Sequence, residues 1–315
     1  MKSYAVVGSG YMGGGIAQSL ALSGARVTIS DVSGDVARNN LTRLLEEARV
    51  FEAEGLFPEG AHATIEANLT AAESIEEAVR DASFIEEAVS ERLEIKHDAL
   101  RRISAACAPD AVIGSNTSTI LISSMAPAVS RPERFLGVHF SNPAPFIPGV
   151  EIIAHDATDE SAIQLAEDVV RATGKLPARV ADATGFVLNR LQYALFHEAS
   201  QIVEEGIASA EDVDTIVRTT FGFRLPFFGP FAIADMAGLD VYALCYASLQ
   251  TRWPERFATP PSLEEHVAAG RFGTKTGAGY LAIPAERTPE LVDYRNRAYV
   301  QMAKLLAELG PAPTS

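Results

Sequence analysis

Positive charge is scarce in this chain: 26 lysines and arginines face 41 aspartates and glutamates over 315 residues, for a net charge of −15. Nucleic-acid binding needs clustered cations on phosphates, so this balance excludes that class of partner. Cysteine is nearly absent. The two present, Cys107 and Cys245, are far apart and in no metal-ligand spacing. That excludes a disulfide-stapled scaffold or a cysteine metal site and suits a reducing compartment. No apolar run approaches the roughly 20 residues that a membrane span needs. Strand-like sequence begins within MKSYAVVGSG, so the expectation is a cytoplasmic protein with no signal peptide and no membrane partner. Repeats and low-complexity segments are also missing. Hydrophobic residues at 47% and charged residues at 21% are ordinary for a globular chain, and the length suits two domains.

Present instead is an alternation of strand and helix. A short apolar strand, Tyr4 to Val7, leads into Gly8-Ser9-Gly10-Tyr11-Met12-Gly13. A helical run with Ile16, Leu20 and Ala21 on one face ends at Gly24, and a second strand, Arg26 to Ser30, ends at Asp31. Residues 35 to 80 read as helical and acidic, with a break around Gly55 to Gly60. Further strands are expected near Phe84 to Val89, Ala111 to Ser115, Phe135 to Phe140 and Val150 to Ala154, with a clear helix over Arg92 to Ala106. From Thr184 to Glu205 an apolar helical pattern runs unbroken. Most of the chain beyond Glu205 is also helical in period, with a final helix after Pro289. The predicted fold is α/β: a Rossmann-like doubly wound sheet over residues 1–183 with a helical excursion after its second strand. A mainly helical C-terminal domain, residues 184–315, is expected to serve substrate binding and homodimer formation.

The glycine turn carries chemistry because of its context: strand before, helix after, and an acid at the end of the next strand. Gly8 suits a tight turn, Gly10 lets a pyrophosphate approach the backbone, and Gly13 lets helix and strand pack closely. The helix start then offers unpaired amides to the phosphates. Asp31, 21 residues after Gly10, is placed to accept ribose hydroxyls and to repel the 2′-phosphate of NADP. The expected cofactor is therefore NAD.

A second constellation lies further on. Ser115-Asn116-Thr117-Ser118 follows one predicted strand, Gly137-Val138-His139-Phe140-Ser141-Asn142-Pro143 spans the end of another, Glu151 begins the next, and Gly185-Phe186-Val187-Leu188-Asn189-Arg190 opens the long helix. Ligands of open α/β sheets bind at such carboxyl ends of strands. Taken by themselves, Glu151 suits a surface cation, Ser118 a helix cap and Asn189 a local backbone bond. In order and spacing, however, these segments resemble the L-3-hydroxyacyl-CoA dehydrogenase family, as does the later Phe272-Gly273-Thr274-Lys275-Thr276-Gly277. The resemblance implies that His139 is the catalytic base, Glu151 its partner, and Ser118 and Asn189 substrate contacts. It also implies that Glu91 and Lys96 line the nicotinamide half of the site, with Tyr11, Met12 and Asn116 among the cofactor contacts. No metal is expected. An imidazole with an ordinary pKa of about 6.5 suits removal of a hydroxyl proton, and a carboxylate on its second nitrogen fixes the tautomer.

Departures from the family pattern bear on the substrate. The family's usual role in fatty acid metabolism implies a CoA thioester, and its helical excursion is typically rich in lysine. Here no lysine occurs between Lys2 and Lys96; the stretch carries Glu46, Glu47, Glu52, Glu54, Glu59 and Glu66, offset by Arg38, Arg43 and Arg49. Phosphate charges meet an unfavourable field there. Phe146-Ile147-Pro148-Gly149-Val150-Glu151 is similar to relatives acting on free hydroxy acids, the L-gulonate 3-dehydrogenase (lambda-crystallin) and pyridine-carboxylic-acid branches. Arg190 and Arg224 are candidates to meet a free carboxylate. A catalytically silent NAD-binding protein of crystallin type is the alternative from another class. Asp31→Ala is expected to weaken NAD far more than NADP in equilibrium binding titrations; equal losses for both would remove Asp31 from the ribose.

Overall fold

The computed structural model describes residues 2–313, and the chain divides into two compact units between Ala194 and Leu195. In the first, strand Ser3–Val7 (β1), helix Tyr11–Leu22 (α1) and strand Arg26–Ser30 (β2) succeed one another as the sequence predicts. Helices Gly34–Ala53 (α2) and Ala61–Asn68 (α3), strand Leu69–Ala71 (β3) and helix Ile75–Val79 (α4) come next. After them come strand Phe84–Glu87 (β4), helix Leu93–Ala106 (α5), strand Val112–Ser115 (β5) and the short helix Ile122–Met125 (α6). Strands Phe135–Phe140 (β6) and Gly149–Ala154 (β7), helix Glu160–Ala172 (α7) and strand Leu176–Ala181 (β8) complete the layer. Helix Leu188–Glu204 (α8) runs across the division between the units.

The strands form one sheet in the order β3-β2-β1-β4-β5-β6-β7-β8. From β3 to β6 all pairings are parallel, the doubly wound arrangement. β7 then runs antiparallel to β6, and β8 parallel to β7. The link over residues 141–148 is too short for the crossover of a dozen or more residues that a parallel return needs, so the chain turns back as a hairpin. Two strands correct the sequence reading. β3 is three residues long inside a stretch read as helical with a break only around Gly55 to Gly60. β8 is an edge strand containing Pro177 and lacks a buried face.

Central strands β1, β4, β5 and β6 are almost wholly buried, because helices cover both faces of the sheet. Tyr4, Val6, Phe84, Val138 and Phe140 pack on one side with Ile16 and Leu20 of α1 and Val169 and Val170 of α7. Ala5, Val7, Ile85, Ile113 and Phe135 pack on the other with Leu100 and Ile103 of α5. At the carboxyl ends this alternation places Glu87, Ser115 and His139 on the second side.

The second unit holds helices Ala210–Thr219 (α9), Phe221–Arg224 (α10), Pro230–Ala237 (α11), Leu239–Gln250 (α12), Pro261–Ala268 (α13) and Thr288–Leu309 (α14). Its buried cluster is small, with Ala234, Leu239 and Leu263 at the centre and Tyr242, Tyr246 and Tyr280 around them. Buried Asp235 accepts the amides of Tyr280 at 3.0 Å and Leu281 at 2.7 Å, and its own carbonyl accepts Thr274 N at 2.9 Å. The segment Phe272 to Gly277, singled out in the sequence, is thereby folded onto α11.

Glu86 interrupts the first apolar face. It is completely buried and both its carboxyl oxygens lack a partner. Burial, reinforced by the neighbouring charge of Glu87, pushes its carboxyl well above the ordinary carboxylate range, so it is held as the neutral acid. In the unfolded chain it ionises near its reference value of 4.5. The folded state therefore keeps its full stability below that value and loses it as pH rises toward the folded pKa. Relative to Glu86→Gln, the wild type is expected to lose up to about 1.4 kcal/mol per pH unit as pH rises above the reference value of 4.5 in denaturant titrations. Parallel curves for the two proteins would contradict this.

Candidate active site

The cofactor half of the site starts at the turn after β1. Gly8 has φ 94°, and a side chain there would strike the backbone of Ala88; one on Gly13 would strike the Gly8 carbonyl. At Gly10, by contrast, the space within 4 Å of a would-be Cβ is empty, and no side chain caps α1. The first amides of α1, at the exposed Tyr11 and the half-buried Met12, are thus left for a phosphate. Beside them opens a cleft of about 320 Å³, lined by Gly8, Gly10, Asp31, Val32, Ile95 and Arg102 among others. These residues fit a dinucleotide.

Asp31 is fixed by a residue that the sequence reading passed over. Ser9 donates its amide (2.8 Å) and its hydroxyl (2.6 Å) to Asp31 Oδ2, while Val32 N reaches Oδ1 at 2.8 Å. Asn40 of α2 donates to Ser9 Oγ at 2.9 Å. The acid is therefore oriented before any ribose arrives.

The reacting half is set by the β6–β7 hairpin, whose register puts His139 directly opposite Glu151. His139 Nδ1 lies 2.8 Å from Glu151 Oε2, and His139 Nε2 lies 3.2 Å from Ser118 Oγ. With Nδ1–H donating to the carboxylate, the Nε2 lone pair faces the serine hydroxyl. Glu151 Oε1 accepts the amides of Val187 and Leu188, each at 2.9 Å. The chain reaches those amides through two left-handed residues, Gly185 (φ 76°) and Phe186 (φ 48°). Such a φ is uncommon for phenylalanine; the ring, 2% exposed, is held 5.9 Å from the His139 ring. Burial raises the Glu151 carboxyl, but the bonds from His139, Leu188 and Val187 outweigh it and hold the group below the ordinary carboxylate value.

Asn189 belongs to the same cluster: its Nδ2 donates to Ser118 O at 2.9 Å. None of the three local alternatives holds, since Glu151 meets His139, Ser118 is not the cap of α6 (Leu121 is), and Asn189 bonds a residue 71 positions away. Asn116 Oδ1 accepts Phe140 N at 2.8 Å, tying β5 to the end of β6. Lys96 is 1% exposed, and its ammonium lies 2.9 Å from Glu87 and 3.3 Å from Glu91. Glu91 Oε1 accepts Thr117 Oγ1 (2.7 Å), Ser118 N (2.9 Å) and Thr119 N (3.1 Å). Burial raises this carboxyl too, yet the Thr117 hydroxyl, Lys96 and the two amides bring it below the ordinary value. Glu87 was missed in the sequence, although an acid ending a strand is the same signal that singled out Asp31.

In the helical excursion the arginines are spent. Arg38 pairs with Asp35 and Glu73, Arg43 with Glu47 at 2.6 Å, and Arg49 with Glu46 at 2.6 Å. Phe51 and Phe57 of this excursion stack edge-on at 5.2 Å, and Phe146 of the β6–β7 link joins Phe51 at 5.3 Å. Arg190 is exposed beside Asn189, without an ion-pair partner among the described residues. Arg224, in the second unit, lines a cavity of about 410 Å³ with Arg295, Phe228 and Tyr299.

Comparison with known proteins identifies the family. Residues 3–183 match the family model described as 3-hydroxyacyl-CoA dehydrogenase, NAD binding domain, and residues 185–283 match the 3-hydroxyacyl-CoA dehydrogenase, C-terminal domain. The chain is 34% identical over 308 residues to the 5-formyl-3-hydroxy-2-methylpyridine 4-carboxylate 5-dehydrogenase of Mesorhizobium japonicum, covering 97% of this chain and 98% of that protein. It is 34% identical over 295 residues to the human mitochondrial hydroxyacyl-coenzyme A dehydrogenase, covering 89% and 90%. Among solved structures, the 3-hydroxyacyl-CoA dehydrogenase of Archaeoglobus fulgidus superposes with a TM-score of 0.78 at 32% identity, covering 98% of this chain and 99% of that one. The chain belongs to the 3-hydroxyacyl-CoA dehydrogenase family of NAD-dependent oxidoreductases.

Proposed function

We propose that this protein oxidises a 3-hydroxyl group of a small free hydroxy acid to the carbonyl, with His139 as general base. The observation that carries the reading is the unbroken series from Ser118 Oγ through His139 to Glu151, at 3.2 and 2.8 Å. NAD, when bound, supplies the hydride acceptor. His139 Nε2 takes the hydroxyl proton, and Glu151 keeps Nδ1 protonated and stabilises the imidazolium that results. The Ser118 hydroxyl and the remaining amide donor of Asn189 hold the reacting oxygen and polarise the carbonyl in the reverse direction. Within the cofactor site we assign Gly8, Gly10, Gly13, Tyr11, Met12 and Asp31 to the adenosine and pyrophosphate, and Glu91, Lys96 and Asn116 to the nicotinamide end. Retention of the whole series argues against a silent NAD-binding protein.

Three observations support a free acid over a CoA thioester. The α2–α3 excursion has its arginines paired with acids and offers phosphates a negative field. Arg190, unpaired among the described residues and next to Asn189, is a suitable carboxylate partner. The relative similar over 97% of the chain is named for a pyridine carboxylate. We further propose a homodimer, because α8 leaves Leu191, Tyr193 and Phe196 exposed, and a cytoplasmic location, which the two unpaired cysteines suit.

The test compares kcat/KM for 3-hydroxybutyryl-CoA, 3-hydroxybutyrate and L-gulonate in wild type and His139→Ala. A free acid is expected to be preferred, and the substitution to lower its turnover by about 10²–10⁴-fold while NADH binding persists. A strong preference for the thioester would overturn the substrate reading, and unchanged turnover in His139→Ala would overturn the base.

A further inference from the structure

Resting on the reading of Ser118 as a substrate contact, we infer that Glu87 is a positioning residue which, through Lys96 and Glu91, fixes the loop presenting Ser118 to His139. Glu87 closes β4 and is completely buried. It accepts Ser115 Oγ at 2.5 Å, Val89 N at 2.8 Å, and Lys96 Nζ at 2.9 and 3.2 Å. A carboxylate taken fully out of water survives as a charge only when paired and hydrogen-bonded, and every contact here is of that kind. Lys96 completes its shell with Glu91 Oε2 at 3.3 Å and Val89 O at 3.4 Å. One buried ammonium is thus shared by two carboxylates.

The second of those carboxylates governs the serine. Glu91 Oε1 collects the Thr117 hydroxyl and the Ser118 and Thr119 amides, as well as Thr119 Oγ1 at 3.3 Å. At the far end of the same loop, Asp182 accepts Ile122 N at 2.9 Å and Ser123 N at 2.8 Å. Glu91 therefore grips the end that carries Ser118, and Lys96 sets where Glu91 stands. A buried ion pair adds little stability over well-packed apolar side chains, so fold stability alone gives no reason for this triplet. Its place at the carboxyl ends of β4 and β5, on the side of the sheet where His139 lies, does. Glu87→Gln keeps the shape and can still accept the Ser115 hydroxyl. It removes the charge that shares Lys96, drawing the ammonium to Glu91 and loosening Glu91 from the loop amides.

The experiment is a double-mutant cycle on wild type, Glu87→Gln, Ser118→Ala and the double variant. It uses whichever of 3-hydroxybutyryl-CoA, 3-hydroxybutyrate and L-gulonate is turned over best, with NADH fluorescence titration alongside. Glu87→Gln is expected to lower kcat by about 10- to 100-fold, as small misplacements of reacting groups do, with a much smaller change in the NADH Kd. In the Ser118→Ala background the same change is expected to cost nothing further. Equal losses in both backgrounds, or a loss residing wholly in NADH affinity, would overturn the inference while leaving Ser118 in place. A fully active Ser118→Ala would overturn both readings. Ser115→Ala deletes only the hydroxyl bond to Glu87 and guards against misfolding of the charge variant; it is expected to show the same non-additivity with a smaller loss. Independently of substrate, the His139 imidazole resonances should be perturbed alike by Glu87→Gln and Ser118→Ala in NMR spectra, and unaffected resonances in Glu87→Gln would count against the inference.

Discussion

One carboxylate is shared between two tasks, and the site depends on the sharing. Glu151 gives one oxygen to His139 Nδ1 and the other to the first free amides of α8, at Val187 and Leu188. The orientation of the imidazole and the position of α8 are therefore fixed by a single side chain. Asn189, one residue further along, then reaches the Ser118 carbonyl, and Phe186, one residue before, packs beside the imidazole. The antiparallel hairpin is what makes this possible, because it sets residues 139 and 151 directly across from each other on one face. A parallel return would have separated them.

Adjacent acids on β4 show how strongly environment decides chemistry. Glu86 and Glu87 point to opposite faces of the sheet, and both are completely buried. Glu87 meets an ammonium, a hydroxyl and an amide. Glu86 meets none of these and is kept neutral. In the excursion, Arg38, Arg43 and Arg49 find acid partners a turn away or in the loop before α4. The result is an excursion whose arginines are matched by acids of the same segment.

Much of this was legible in the sequence because local rules governed it. The strand–glycine turn–helix–strand unit through Asp31, the strand ending at Phe140 and the helix after Gly185 each announce themselves by period and punctuation. β3 did not, being three residues in a helical, acidic stretch, and β8 did not, being an exposed edge strand with a proline in it. Ser118, His139, Glu151 and Asn189 were found as a spaced set, and their convergence is geometry that no spacing contains. Ser9, Glu87 and Asp182 escaped notice because each acts through a contact with residues distant in the chain. The pairing of Arg38, Arg43 and Arg49 with particular acids is likewise visible only in the folded chain.

The central claim is that a neutral imidazole, held by Glu151 and facing Ser118, removes the hydroxyl proton. Its most direct measurement is chemical rescue: single-turnover NADH formation by His139→Ala as free imidazole is added. The account predicts a slow reaction without imidazole and a saturable acceleration with it, lost when Ser118 is also replaced by alanine. Rapid NADH formation by His139→Ala in the absence of imidazole would contradict it.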